Sequence, residues 1–437
     1  MDVAILFIAF YLLLKRKFAW VLFAIILLTT SYLGIGTNIS EFAIAHNVSD
    51  SGLILYLVLC FYFISKNKFK LINSPLGNYI IIFYLFLLIS FCIDLLFNNI
   101  DFVSIVKTSR HWIFLSCIWF FYYIPSKEVR KLINYLFNAT VIISIIMLFE
   151  FFSGIQILGK EYETLTSESG DLLIRGSIPS TFILFYLLLL FTPFYKFNLK
   201  TKYFYIILFS TVLITSVIRS WFLAIIFGIF IILILQKKLL LKNVFTGIVI
   251  ITGLFLAIFN NPIIKERFIE GFQEVQNFNF INKNDLQGNF SFRILHMQER
   301  LIYISQSYQY GIFGLGNISE EYFPEIFEIG LLDESERVIQ LDTADIAWSA
   351  FFLRLGLLGT FLYLYFFVSM LLAFYRIRKN NSLATTTFVY LFINLTIISF
   401  ASSSIATGHF FLLPITLYFL SKKEVKLTTI QTDINKL

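Results

Sequence analysis

Long apolar runs recur from Val3 to Leu420, and a short basic cluster punctuates every second connection between them. A soluble core does not need so many runs of such length. Stretches of about 20 apolar residues read as membrane-spanning helices. The clusters are Lys15-Arg16-Lys17, Lys66/Lys68/Lys70, Lys127/Arg130/Lys131, Lys196/Lys200/Lys202, Lys237/Lys238/Lys242, Arg376/Arg378/Lys379 and Lys422/Lys423/Lys426. Cytosolic loops carry excess Lys and Arg, so these connections face the cytosol. By this assignment about 22 of the 34 basic residues are cytosolic, against about three of the 27 acids (Glu128, Glu424 and Asp433). The net charge of +7 thus combines a basic inner side with an acidic outer side. It is no footprint for nucleic acid.

The spans run roughly over 3–14, 18–34, 51–65, 77–97, 108–124, 132–152, 179–195, 203–218, 220–235, 243–259, 347–375, 383–400 and 409–420. The expected fold is an all-α polytopic membrane protein of about 12–13 transmembrane helices, one integral membrane domain over 1–437 with a cytosolic C-terminus. The first run is short for a bilayer and is expected as a half-span or a span. The N-terminus has neither a basic n-region nor a small-residue cleavage site, so a signal peptide is not expected. Cys60, Cys92 and Cys117 fall inside spans, which suggests neither a disulfide nor a metal site.

Polar chemistry concentrates on the outer side. The segment from about Ser153 to Ile178 is acidic (Glu161, Glu163, Glu168, Asp171), with Arg175 near its end. The loop over 260–344 is much the longest non-membrane segment, and loops of that length are usually functional or disordered. Its apolar and aromatic residues recur in order, which predicts helices over about Ile263–Gln276 and Phe292–Tyr308. The second ends at the glycine-rich Gly311-Ile-Phe-Gly-Leu-Gly-Asn317.

Five places carry residues that suit chemistry. Arg293, His296 and Arg300 stand at i, i+3 and i+7 and share one helix face, with Glu299 beside them. Two guanidiniums facing one place suit a phosphate or pyrophosphate through forked hydrogen bonds; the alternative is a solvated cationic face paired with the acidic loops. Arg219 lies between two apolar runs in Ser216-Val-Ile-Arg-Ser-Trp-Phe, held against the outer membrane boundary, where the positive-inside rule disfavours it. The alternative is a snorkelling Arg at a tight turn. Asp345 opens the span after the long loop, where an acid also suits a helix N-terminus, and Arg354 lies inside that apolar helix, where it needs a wet cavity or a partner. Gly356 and Gly359 permit close packing there. Arg110-His111 and His409 mark the outer ends of two further spans. No phosphate-binding loop, dinucleotide fingerprint, nucleophile elbow or metal-spaced cluster is present in the sequence. Cytosolic loops are too short for a folded nucleotide site, so an enzyme of this build works on the outer face with a donor already attached to lipid.

In layout the chain resembles the O-antigen and capsular polysaccharide polymerases (Wzy type), and more distantly the O-antigen ligases. Three local stretches carry the likeness: Ile218-Arg-Ser-Trp-Phe-Leu-Ala224, Gly311-Ile-Phe-Gly-Leu-Gly-Asn317, and Asp345-Ile-Ala-Trp348 followed by Arg354-Leu-Gly-Leu-Leu-Gly359. Ligases often show a His near the span after the loop; positions 342–348 here offer Asp, which favours a polymerase. The resemblance implies a metal-independent membrane glycosyltransferase of the C-type fold, needing no cofactor and working at the outer face of the cytoplasmic membrane. Its substrates would be undecaprenyl-diphosphate-linked repeat units. A chain-length regulator and a flippase would be its partners besides membrane lipids. Asp345, His296 or Glu299 would serve as base; Arg219, Arg293, Arg300, Arg175 and Arg354 would be substrate-binding. A lipid-linked oligosaccharide flippase is the rival from another class. Transporters of that kind show internal duplication and midplane polar residues, whereas here the polar groups gather outside.

The orientation is testable in a background lacking the three native cysteines. Asn289→Cys is expected to react with an impermeant thiol reagent in intact spheroplasts, and Asn380→Cys only after permeabilisation. The reverse pattern would overturn the topology.

Overall fold

A computed structural model of the chain describes residues 2–30, 48–68, 75–155, 157, 163–166, 172–175, 180–216, 218–236, 289–316, 346–379 and 381–434, with isolated positions over 249–276 and 318–343. In chain order the helices are α1 (Asp2–Leu14), α2 (Phe18–Thr30), α3 (Val48–Ser65), α4 (Pro75–Leu96), α5 (Phe102–Ser109), α6 (Cys117–Phe120), α7 (Ser126–Ser153), α8 (Ser180–Leu190), α9 (Leu199–Thr215), α10 (Arg219–Leu235), α11 (Asn289–Ser305), α12 (Tyr308–Phe313), α13 (Ala347–Ile377), α14 (Ser382–Thr396) and α15 (Leu412–Ile434). A short antiparallel hairpin, β1 (Glu163–Thr166) and β2 (Leu172–Arg175), lies between α7 and α8, with Glu163 opposite Arg175. The chain has the build of an all-α membrane protein. Among the described residues, Leu76–Leu96, Ser126–Ser153, Ala347–Ile377 and Ser382–Phe400 are long and apolar enough to cross a membrane.

Local sequence sets the helix ends. Pro75 opens α4, where its missing N–H costs nothing. Asn198 and Asn381 accept hydrogen bonds from the Thr201 and Ala384 amides at 2.8 and 2.9 Å and cap α9 and α14. Gly154, at φ 67°, closes α7 with its N–H on the Glu150 carbonyl at 2.9 Å.

The expected elements and the observed ones differ in several places, among them the following. The run over 108–124 is not one helix but α5, a 3-10 stretch over Arg110–Ser116, α6 and a further 3-10 turn over Phe121–Tyr123. The loop helix expected over Phe292–Tyr308 is divided into α11 and α12 at Gln306–Ser307. The last span begins as a 3-10 turn over Gly408–Phe411, and its helix continues to Ile434. The run over 243–259 and the helix expected over Ile263–Gln276 fall almost wholly outside the described residues.

Tyr79 meets Tyr365 hydroxyl to hydroxyl at 3.1 Å, and the Phe83 and Tyr363 rings lie 5.9 Å apart. A Cβ on Gly359 would strike the Phe86 ring. α4 and α13 are therefore antiparallel. At the basic end, acids and bases join the helices. Arg130 holds Glu424 at 2.7 Å, Lys131 holds Glu128 at 2.7 Å, and Glu128 also accepts the Ala19 amide at 3.1 Å. Two of the few acids on the basic side thus serve as ties between α2, α7 and α15.

The long loop is seated on α13 by glycine backbones. α13 is broken at Gly356, whose φ of 61° and ψ of −170° leave the helical region. Gly314, at φ 74°, lies against it: a Cβ on Gly314 would be 2.6 Å from the Gly356 nitrogen, and one on Gly356 would strike the Ile312 carbonyl. The Leu315 amide donates to the Leu353 carbonyl at 2.6 Å. Gly316, at φ 80°, faces the carboxylate of Asp94 on α4, and the Phe313 ring stacks on Phe86 at 5.7 Å. The two glycine-rich stretches singled out in the sequence are therefore in direct contact.

Substitution separates this seat from ordinary helix glycines. Left-handed backbone costs a non-glycine residue roughly 1–2 kcal/mol, and here the new methyl also meets backbone. Gly314→Ala and Gly356→Ala are each expected to lower thermal stability in detergent by at least about 1 kcal/mol. Gly311→Ala, whose Cβ meets nothing closer than the Ile304 carbonyl at 3.5 Å, is expected to stay within about 0.5 kcal/mol of wild type.

Candidate functional site

The ends of the helices opposite the basic loops gather around a cavity of about 250 Å3. Thr30 closes α2 and Thr181 opens α8 at its wall; Trp221 comes from the first turn of α10, and His409 precedes α15. Ser402 and Ser404, from the segment linking α14 to α15, complete its polar lining.

Arg219 is the first residue of α10. The Ile218 before it has extended backbone and supplies no side-chain cap. A helix N-terminus carries partial positive charge and exposes free N–H groups. A guanidinium there is disfavoured unless an anion shares the place, and the same N–H groups favour phosphate. The neighbouring Ser220 hydroxyl is buried and has no hydrogen-bond partner among the described residues. Trp221, one residue on, is 4% exposed and lines the cavity.

α11 packs on the start of α13 through its polar face. The His296 Nδ1 lies 3.0 Å from the Ser349 hydroxyl, and the imidazole has no exposed surface. Its Nε2 has no partner among the described residues. Burial, and secondarily the charge of Arg300, lowers the imidazole pKa to about 3. His296 is therefore neutral at pH 7, and as a base it is weak. Beside Ser349, Trp348 donates its indole N–H to Ser399 at 3.1 Å. Two successive residues of α13 thus join the loop helix on one side and the segment before the cavity on the other.

The remaining candidates divide by what holds them. Arg300 is fully buried. It pairs with Glu299, donates to the Gln340 carbonyl at 2.9 Å and lies 4.3 Å over the Phe327 ring. Glu299 accepts the Glu328 and Ile329 amides at 2.7 and 3.2 Å. These two side chains bind stretches of the long loop to α11, and the picture of a solvated cationic face does not hold for Arg300. Arg293, on the same face, is half-buried. Arg354 donates to the Ile318 carbonyl at 2.9 Å, beside the glycine seat, so its partner is loop backbone. Arg175 is in β2, and its side chain lies outside the described residues, as does Asp345 entirely.

Three further acids, two of them buried, carry structure. Asp50 pairs with Arg110 at 2.6 Å. Asp94 is 2% exposed against Gly316, and Glu150, also 2% exposed, accepts the Ile157 amide at 2.6 Å. Asp94 and Glu150 were each marked by one signal, a lone acid inside an apolar run. Among the described residues no group of His, Cys, Asp and Glu is arranged to hold a metal ion.

The burial of His296 has a consequence for pH. An unfolded His takes up a proton near pH 6.5, and the buried one only near 3. Between those values the unfolded state binds more protons, so folding stability falls as pH drops from about 6.5. The limiting slope for one group is about 1.4 kcal/mol per pH unit. His296→Gln is expected to flatten the loss of thermal stability between pH 7 and pH 5 relative to wild type. An unchanged pH profile in that variant would place the acid sensitivity elsewhere.

No protein-family model matches this chain, and no curated protein matches it significantly.

Proposed function

We propose that the protein is a polysaccharide polymerase that joins undecaprenyl-diphosphate-linked repeat units at the outer face of the cytoplasmic membrane. In this reading it is a metal-independent glycosyltransferase of about 12–13 spans, its C-terminus cytosolic and its 260–344 loop extracytoplasmic. The observation that carries it is Arg219 at the N-terminus of α10, two residues before Trp221, which lines the cavity at the non-basic end of the helices. Guanidinium and helix N–H groups together form an anion site, and a lipid diphosphate is the anion that a membrane-boundary site meets.

The chemistry is a displacement at an anomeric carbon. The acceptor sugar hydroxyl attacks that carbon, its proton goes to a base, and the bond to the diphosphate oxygen breaks. Negative charge grows on the departing diphosphate, where Arg219 and the half-buried Arg293 would take it up. Arg300 and Arg354 act at one remove, by holding the loop against α13. Glu299 is already engaged by Arg300 and two amides, and His296 is too weakly basic. Asp345, one residue before the cap of α13, is the base that remains.

The test is a purified protein given a synthetic lipid-linked repeat unit. A ladder of longer glycans is expected, and its absence would remove the polymerase reading. Asp345→Asn is expected to slow elongation at least about tenfold, an added barrier of about 1.4 kcal/mol. A helix cap would tolerate the same change at little cost. Arg219→Ala is expected to abolish the ladder and Arg219→Lys to restore it only in part, because an ammonium cannot make the forked contact.

A further inference from the structure

The cavity at the non-basic end has a wall of mixed polarity, hydroxyls and one imidazole set among aromatic and aliphatic side chains. Its volume of about 250 Å3 lies just below the roughly 300–1,000 Å3 of pockets for drug-sized ligands. That suits one sugar ring and not an oligosaccharide.

Hydrogen-bond accounting fixes what the wall offers. Thr29 and Thr30 spend their hydroxyl protons on the Ile25 and Ile26 carbonyls at 2.8 and 2.7 Å. What they retain is acceptor capacity. Thr407 likewise donates to the Ser404 carbonyl at 2.8 Å, so its oxygen accepts from His409 Nε2 at 3.2 Å. A neutral imidazole with its proton on Nε2 presents Nδ1 as an acceptor. The Ser404 hydroxyl is buried with no partner among the described residues. Trp221 and Tyr390 add flat apolar faces. Among the described residues no charged side chain lines the cavity.

We propose that this cavity binds one uncharged sugar ring of the lipid-linked glycan and thereby selects repeat units with a neutral residue at that place. A sugar brings several O–H donors on one rim and C–H faces for the aromatic rings. A uronate would bring a carboxylate to acceptors with no cation among the described lining residues to pair it, and an amino sugar would bury an ammonium that none of them pairs; both carry a large desolvation cost. The proposal rests on the polymerase reading for the source of the ring, but the binding it asserts can be measured without turnover.

The purified full chain is titrated with methyl glycosides of glucose, galactose, rhamnose and N-acetylglucosamine, and with methyl glucuronide, while tryptophan fluorescence is followed. At least one neutral glycoside is expected to give a saturable change that Trp221→Phe removes. The glucuronide is expected to bind at least about tenfold more weakly. Ser404→Leu, which fills the cavity, should abolish binding, and Ser404→Ala, which adds no bulk, should weaken it several-fold. Binding by none of the glycosides, equal binding of the glucuronide, or unchanged binding in Ser404→Ala overturns the proposal. A glycan ladder without glycoside binding would keep the polymerase and discard this cavity as its sugar site. Glycoside binding without a ladder would do the opposite.

Discussion

The contact between Gly314 and Gly356 is the one on which the arrangement of the non-basic end depends. Two backbones approach there because neither residue has a Cβ, and both take left-handed φ angles that other residues resist. The approach sets the Leu315 amide on the Leu353 carbonyl. That carbonyl is exposed for an outside partner because α13 breaks three residues later. A helix break in a membrane protein leaves backbone groups that must be satisfied within the protein. Here the loop supplies the partner, so the break in the span and the docking of the loop are one event.

Once the loop is seated, the charged residues near it acquire defined tasks. Arg354 reaches the Ile318 carbonyl, and Arg300 with Glu299 ties the stretches around Phe327 and Gln340 to α11. Burying an Arg–Glu pair is a weak source of stability, since desolvation offsets most of the Coulomb gain. The pair is better explained as a geometric constraint: the fork, the two amides and the ring accept one arrangement of the loop. Arg293 and Arg300, alike by spacing, therefore separate: Arg300 is fully buried and, like Arg354, holds the loop, whereas Arg293 is half-buried.

Much of this was legible in the sequence because the bilayer imposes simple rules. Apolar run length and the sorting of Lys and Arg locate α4, α7, α13 and α14 within a few residues. The glycine-rich stretches at 311–317 and 354–359 stood out as punctuation, though not as each other's partners. Periodicity cannot report long-range contact between two backbones. It also missed the break of the 108–124 run, since 3-10 and α-helices are equally apolar when buried. Spacing put His296 and Arg300 on one face but could not say whether that face met water or α13. The acids Asp94 and Glu150 were visible as isolated charges in apolar runs, yet only their surroundings show them as ties.

The 3-10 stretch over Arg110–Ser116 sets the phase between two helices. With three residues per turn, positions 110 and 116 are two whole turns apart and point the same way. Both look at α3: Arg110 pairs with Asp50, and Ser116 shares a 2.6 Å hydrogen bond with Tyr56. Wound as an α-helix, the same six-residue step would rotate one of them about 120° away. One of the two polar partners on α3 would then face apolar surroundings alone. The tighter winding thus works like a key cut to a three-step pitch, fitting this segment against α3 in a single angular setting.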